Sequence, residues 1–165
     1  MKNWDKYLQK NREGYCDCQV VSAVNAYYHL TGKIIGQDTK RYLSFVTRSH
    51  AEYGAAICID KVCKSLGLKQ LRLFRSMYEL FGEQLERVKS IRLPVDATVW
   101  HPKYGYHSVL IVEHCTRARA FRVCNFMHAT TNYGWIFEED FRMYQMHAQA
   151  NCDRPLTLLG LEKKC

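Results

Sequence analysis

Three side-chain types at three separate places in this chain could together perform nucleophilic chemistry: a thiol, an imidazole and a carboxamide. Cys18 follows Asp17 and opens the segment CQVVSAVNAYYHLTG, in which Val21, Val24 and Tyr28 recur at helical spacing before Gly32. Aspartate is a good N-cap, so Cys18 is expected as the first helical residue, its thiol at the positive end of the helix. A helix N-terminus and a nearby imidazolium both favour thiolate over thiol, and can bring a thiol pKa from about 8.5 to roughly 3–4. The plainer alternative is a buried structural cysteine beside a capping aspartate. Cys16 is the rival nucleophile, but it precedes the expected cap and lies outside the reach of the helix dipole.

The imidazole is His107, in HPKYGYHSVLIVEH, at the opening of a run whose centre, Val109 to Val112, is apolar throughout. Such a run reads as a central, buried strand, which would hold the histidine fixed while its ring reaches a cleft. A general base needs that fixity, because it works only within hydrogen-bond reach of its nucleophile. The alternative is a surface histidine at a hairpin start. Asn125 ends the next strand-like run, AFRVCNF, and antiparallel pairing would bring its side chain near His107. There an amide oxygen can hold the second ring N–H, the orienting role of a third triad member. Asparagine at a strand end is otherwise a turn residue.

The elements that must position these groups change character along the chain. Up to about residue 90 the pattern is helical: QDTKRYLSFVTR and AAICIDKVCKSLG follow the first helix, and Ser76 precedes MYELFGEQLERVKS with Glu79 three residues on, a capping-box signature. After Pro94 the period falls to two, and VDATVW, HSVLIVEH, AFRVCNF and PLTLLGL read as strands, with WIFEEDFRMY as a short helix between the last two. Helices first and a mostly antiparallel sheet second predict an α+β fold, an N-terminal helical half (about 1–90) packed on a C-terminal sheet half (about 91–165) with a cleft between them. One domain is expected for 165 residues, 47% of them hydrophobic.

A cysteine at a helix start, a histidine at a strand start and an asparagine at the next strand's end, in that order, resemble the papain-like cysteine peptidases. The similarity is closest to the compact branch that contains the bacteriocin-processing, double-glycine peptidases. Its carriers are DCQVVSAVNAYYHLTG, LPVDATVW, GYHSVLIVEH, FRVCNF and GWIFEEDF, within roughly residues 9–144. The resemblance implies a papain-like fold and a thiol protease that cleaves a peptide or isopeptide bond through Cys18, His107 and Asn125. The same machinery can also hand the acyl group to an amine. Two departures stand out: Gln19 occupies the position where the branch usually has glycine, and Arg12 the position where it has an oxyanion-hole glutamine. Asn11 and Gln9 are the nearby amides that would take over that role beside the Cys18 N–H, a donor worth about 3–4 kcal/mol. Asp17, Gln19, Tyr106 and Trp135 are expected to line the cleft.

Other functions fit less well. Cys58 and Cys63 lie five apart in an expected helix, roughly 140° apart around its axis, a poor start for a zinc site; no metal and no cofactor is expected. The net charge of +8 and the segment RARAFR suggest a basic face, so a nucleic-acid-binding domain is one alternative, although no nucleic-acid-binding signature appears. A catalytically inactive papain-like module that binds a peptide is the other. The sequence has no apolar run near the roughly 20 residues of a membrane span and no signal-peptide pattern at its start, so a cytoplasmic protein with reduced cysteines and no membrane partner is expected.

Overall fold

The computed structural model describes residues 18–36, 55–73, 81–92, 94–103, 105–127, 131–150 and 159–164. In chain order these form α1 (Cys18–Thr31), α2 (Ala55–Leu66), β1 (Leu68–Arg72), α3 (Phe81–Ser90), β2 (Val95–His101), β3 (Gly105–Cys115), β4 (Ala120–Met127), β5 (Thr131–Phe137), α4 (Glu138–Ala150) and β6 (Leu159–Lys163). The strands make one antiparallel sheet in the order β1-β6-β2-β3-β4-β5. The architecture is the expected α+β arrangement, with early helices packed against a mostly C-terminal sheet. The expected helix QDTKRYLSFVTR, the capping box at Ser76 and the start of PLTLLGL lie outside the described residues.

Two elements depart from the expectation. Leu68–Arg72, assigned to the helical half, is a strand that pairs with β6. Trp135, Ile136 and Phe137, expected to begin a helix, end strand β5, and α4 starts only at Glu138. The acidic first turn of α4, Glu138, Glu139 and Asp140, suits the positive end of a helix and fixes the boundary there.

The period-two alternation of the central strands divides the core in two. On one face Leu110 and Cys124 pack with Val20, Ala23 and Val24 of α1 and with Val62 and Cys63 of α2. On the other, Val95, Ala97, Val99, Val109, Ile111, Phe121 and Val123 pack under Phe141 of α4 and Leu85 and Val88 of α3. Phe121 and Phe141 meet edge to face at 5.6 Å. A strand covered on both faces must be apolar on both, which is why VLIV in β3 shows no alternation.

Gly32 closes α1 at φ +73°, its N–H bonding the Tyr28 carbonyl at 2.8 Å. A side chain there meets open space but carries the left-handed backbone penalty. Gly32→Ala is therefore expected to cost about 1–2 kcal/mol in urea unfolding; an unchanged midpoint would mean that this cap does not hold the helix end.

Candidate active site

Cys18 lies in α1, at the first described residue of the chain, and is half-buried. Ser22 lies one turn further along the same stripe, and its hydroxyl meets that of Ser108 in β3 at 3.1 Å. Near the other end of α1, His29 lines one cavity of about 530 Å³ with Val112 and Glu113, toward the far end of β3. Helix and strand therefore run in the same direction, and Cys18 lies toward the Gly105 end of β3, where His107 is the third residue.

His107 is 2% exposed, where the sequence reading had its ring open to a cleft. Strand alternation accounts for the difference. His107 shares the β3 face of Val109 and Ile111, whereas Ser108 and Leu110 face α1. Its ring packs against His101 of β2, with centroids 5.9 Å apart and planes near perpendicular, and His101 in turn packs on Phe126. The His107 Nε2–H donates to the main-chain carbonyl of Asn125 at 2.5 Å. In the neutral ring, that bond places the proton on Nε2 and the lone pair on Nδ1.

Asn125 was expected to hold the histidine with its side-chain amide; the bond to the ring comes from its backbone instead. The local geometry explains why. Regular β4–β5 pairing breaks between Cys124 and Met127, and within that break Asn125 takes φ +61°. A bulge re-aims groups that a regular ladder would occupy, and asparagine is among the few residues that enter the left-handed region readily.

The sequence reading missed His101, Ser22, Ser108 and Asp96. His101 accepts the Lys103 N–H on Nδ1 at 3.0 Å, and burial, with the Lys103 charge, pushes its pKa down. Asp96 of β2 is fully enclosed and accepts the Ser108 hydroxyl; Ser22 also bonds to it. This trio ties the helix that carries Cys18 to the strand that carries His107.

The remaining expected site residues divide. Gln9, Asn11, Cys16 and Asp17 lie outside the described residues. Gln19 is half-buried in the first turn of α1, and its Oε1 is enclosed without a hydrogen-bond partner. Tyr106 is in β3, cross-strand from Trp100. Trp135 is not beside His107: it pairs with Arg122 in the row of Glu113, six residues along β3 and about 20 Å away. Of the described cysteines, Cys18, Cys63, Cys115 and Cys124 are free thiols. Burial pushes the Cys63 thiol up to about 12 and the Cys124 thiol higher still, which makes both poor nucleophiles. Among the described residues no group of three or more His, Cys, Asp or Glu side chains is placed to hold a metal ion, and no helix is long and apolar enough to cross a membrane.

No protein-family model and no curated protein matches the chain. Among solved structures it is similar to the peptidase domain of Streptococcus ComA, a bi-functional ABC transporter involved in a quorum-sensing pathway. The TM-score is 0.66 over 94% of this chain and 96% of that domain, at 14% identity. The fold is papain-like. α1 carries Cys18, β3 carries His107 and β4 carries Asn125; the structure joins His107 to the Asn125 backbone and sets His107 on the face of β3 away from α1.

Proposed function

We propose that this chain is a thiol hydrolase of the cysteine-peptidase type, working as a single domain in the cytoplasm on a peptide or protein substrate. Cys18 Sγ attacks the carbonyl carbon of a peptide or isopeptide bond. Nδ1 of His107 takes the thiol proton and passes it to the leaving amine as the C–N bond breaks. Water then attacks the thioester carbon, His107 accepts a proton from it, and the carboxylic acid leaves as the thiol re-forms. The Cys18 N–H, with Asn11 or Gln9, holds the oxyanion. Because His107 lies on the face of β3 away from α1, the reaction requires its ring to swing round the Gly105 end of β3 to meet the thiol.

The observation that best supports this reading is the bond from Nε2–H of His107 to the Asn125 carbonyl, which gives Nδ1 the lone pair a base needs. A non-catalytic peptide-binding relative of the same fold would not need that tautomer. Iodoacetamide at pH 6, followed by peptide mapping, tests the reading. Selective alkylation of Cys18, with Cys63, Cys115 and Cys124 nearly unlabelled, is expected; uniform slow labelling of all four would refute the enzyme and leave the binding module.

A further inference from the structure

Strand β3 outruns its neighbour. The β2–β3 ladder ends where Val95 pairs with Ile111, yet β3 continues to Cys115. On its other side β4 stays paired to that end, with Glu113 opposite Arg122 and Cys115 opposite Ala120. Pro94, just before β2, bonds toward β6, its carbonyl accepting the Leu161 N–H at 2.9 Å. Among the described residues no strand therefore covers the β2 side of Val112–Cys115, which leaves an open edge inside the sheet. The cavity of about 530 Å³ at the His29 end of α1 opens at this notch. Its walls come from both faces of β3: Ile111 with Val88 and Ile91 on one, Val112 on the other. A cavity reaches both faces of a strand only at that strand's edge. Most charges around it are paired. Lys89 meets Glu86 at 2.6 Å and Glu138 at 2.8 Å, His114 bonds the same Glu138 at 2.8 Å, and Glu113 faces Arg122 at 3.3 Å. Arg92, exposed at the rim two residues before Pro94, has no hydrogen bond or ion pair among the described residues.

We propose that this notch takes the C-terminal end of a partner polypeptide as an added strand, its last apolar side chain in the cavity and its terminal carboxylate on Arg92. A segment in line with β2 and running the same way lies antiparallel to β3 and ends against Pro94. The open edge offers hydrogen bonds that another peptide main chain matches. The apolar walls suit an aliphatic side chain. A single unpaired guanidinium suits a single carboxylate, which it can hold through two parallel hydrogen bonds. A nucleic acid would instead bring a row of phosphates to a lysine that Glu86 and Glu138 already hold. The site is roughly 16 Å along α1 from Cys18, so it stands whether or not the thiol is catalytic.

Fluorescence polarisation of a short fluorescein-labelled peptide ending in leucine, titrated with the full chain, tests the proposal. The free acid should bind, and the same peptide amidated at its C-terminus should bind about tenfold more weakly. Arg92→Gln should lose a similar factor, about tenfold, for the acid and almost nothing for the amide, because both changes remove the same contact. Its circular dichroism should be unchanged, since the Arg92 side chain makes no bond among the described residues. N-methylation of the peptide's backbone amides keeps the charge but blocks the ladder, and should abolish binding. A free acid that does not bind at millimolar concentration overturns the proposal. So does an amide that binds equally, an acid indifferent to Arg92→Gln, or an N-methylated peptide that binds like its parent. An oligonucleotide that binds in its place, more weakly in Arg92→Gln and at rising salt, overturns it in favour of nucleic acid.

Discussion

Asp96→Asn is expected to stabilise the protein at pH 7–8 and to leave it nearly unchanged at pH 4. Burial raises the Asp96 carboxyl from 3.8 to about 6, and the Ser108 and Ser22 hydroxyls offset only part of that effect. Among the described residues no cation is paired with it, so the enclosed charge has only hydroxyl dipoles to replace water. Between pH 3.8 and about 6 the folded chain keeps a proton that the unfolded chain has lost. Stability from this group therefore falls as pH rises through that window, and above it the whole penalty is present. A shift from 3.8 to about 6 corresponds to about 3 kcal/mol. Asparagine keeps the shape and a carbonyl acceptor for one hydroxyl but never ionises, so its stability should be flat across the same window. Urea unfolding of both proteins at pH 4, 6 and 8 measures the difference. A variant less stable than wild type at pH 8 would mean that the carboxylate is held by more than two serines.

That trio could not be read from the sequence, because it joins residues 22, 96 and 108 on three elements, and only their packing makes them neighbours. What could be read depended on local chemistry. The helix that carries Cys18 followed from the helical spacing of Val21, Val24 and Tyr28; strands β2 to β4 followed from apolar runs bounded by turn residues. Strand β1 was missed because LKQLR is short, half-polar and follows a helix after a single glycine. In β5 the run WIFEEDF carries two signals in succession, the end of a strand and an acidic helix start, and reading them as one helix moved Trp135 out of the sheet. The placement of Trp135 near His107 failed for a different reason: closeness depends on strand register, which is set by hairpin geometry and bulges. For His107, the strand was legible but the face was not, since a one-residue difference in phase exchanges the two sides of a sheet.

Asn125 offers the sharper test of the site, because two substitutions of its side chain should behave in opposite ways. The group that orients His107 is a main-chain carbonyl, so it survives any replacement that keeps the backbone at φ +61°. Glycine takes that conformation freely, whereas a β-branched residue there is a genuine outlier. In the proposed enzyme, the ion pair between Cys18 and His107 places the midpoint of Cys18 alkylation well below the roughly 8.5 of a free thiol. Asn125→Gly should leave that midpoint within about half a pH unit of wild type. Asn125→Val should move it up by about 2 units or more, as His107→Ala does, because the bulge relaxes and the ring loses its anchor. A side-chain amide acting as the orienting group predicts instead that glycine and valine are equally damaging. Rates of iodoacetamide labelling from pH 5 to 9 for the four proteins separate the two mechanisms, with circular dichroism to verify that each variant is folded. Equal upward shifts for Asn125→Gly and Asn125→Val would assign the orienting role to the carboxamide, whereas an unshifted His107→Ala would remove the imidazole from the chemistry altogether.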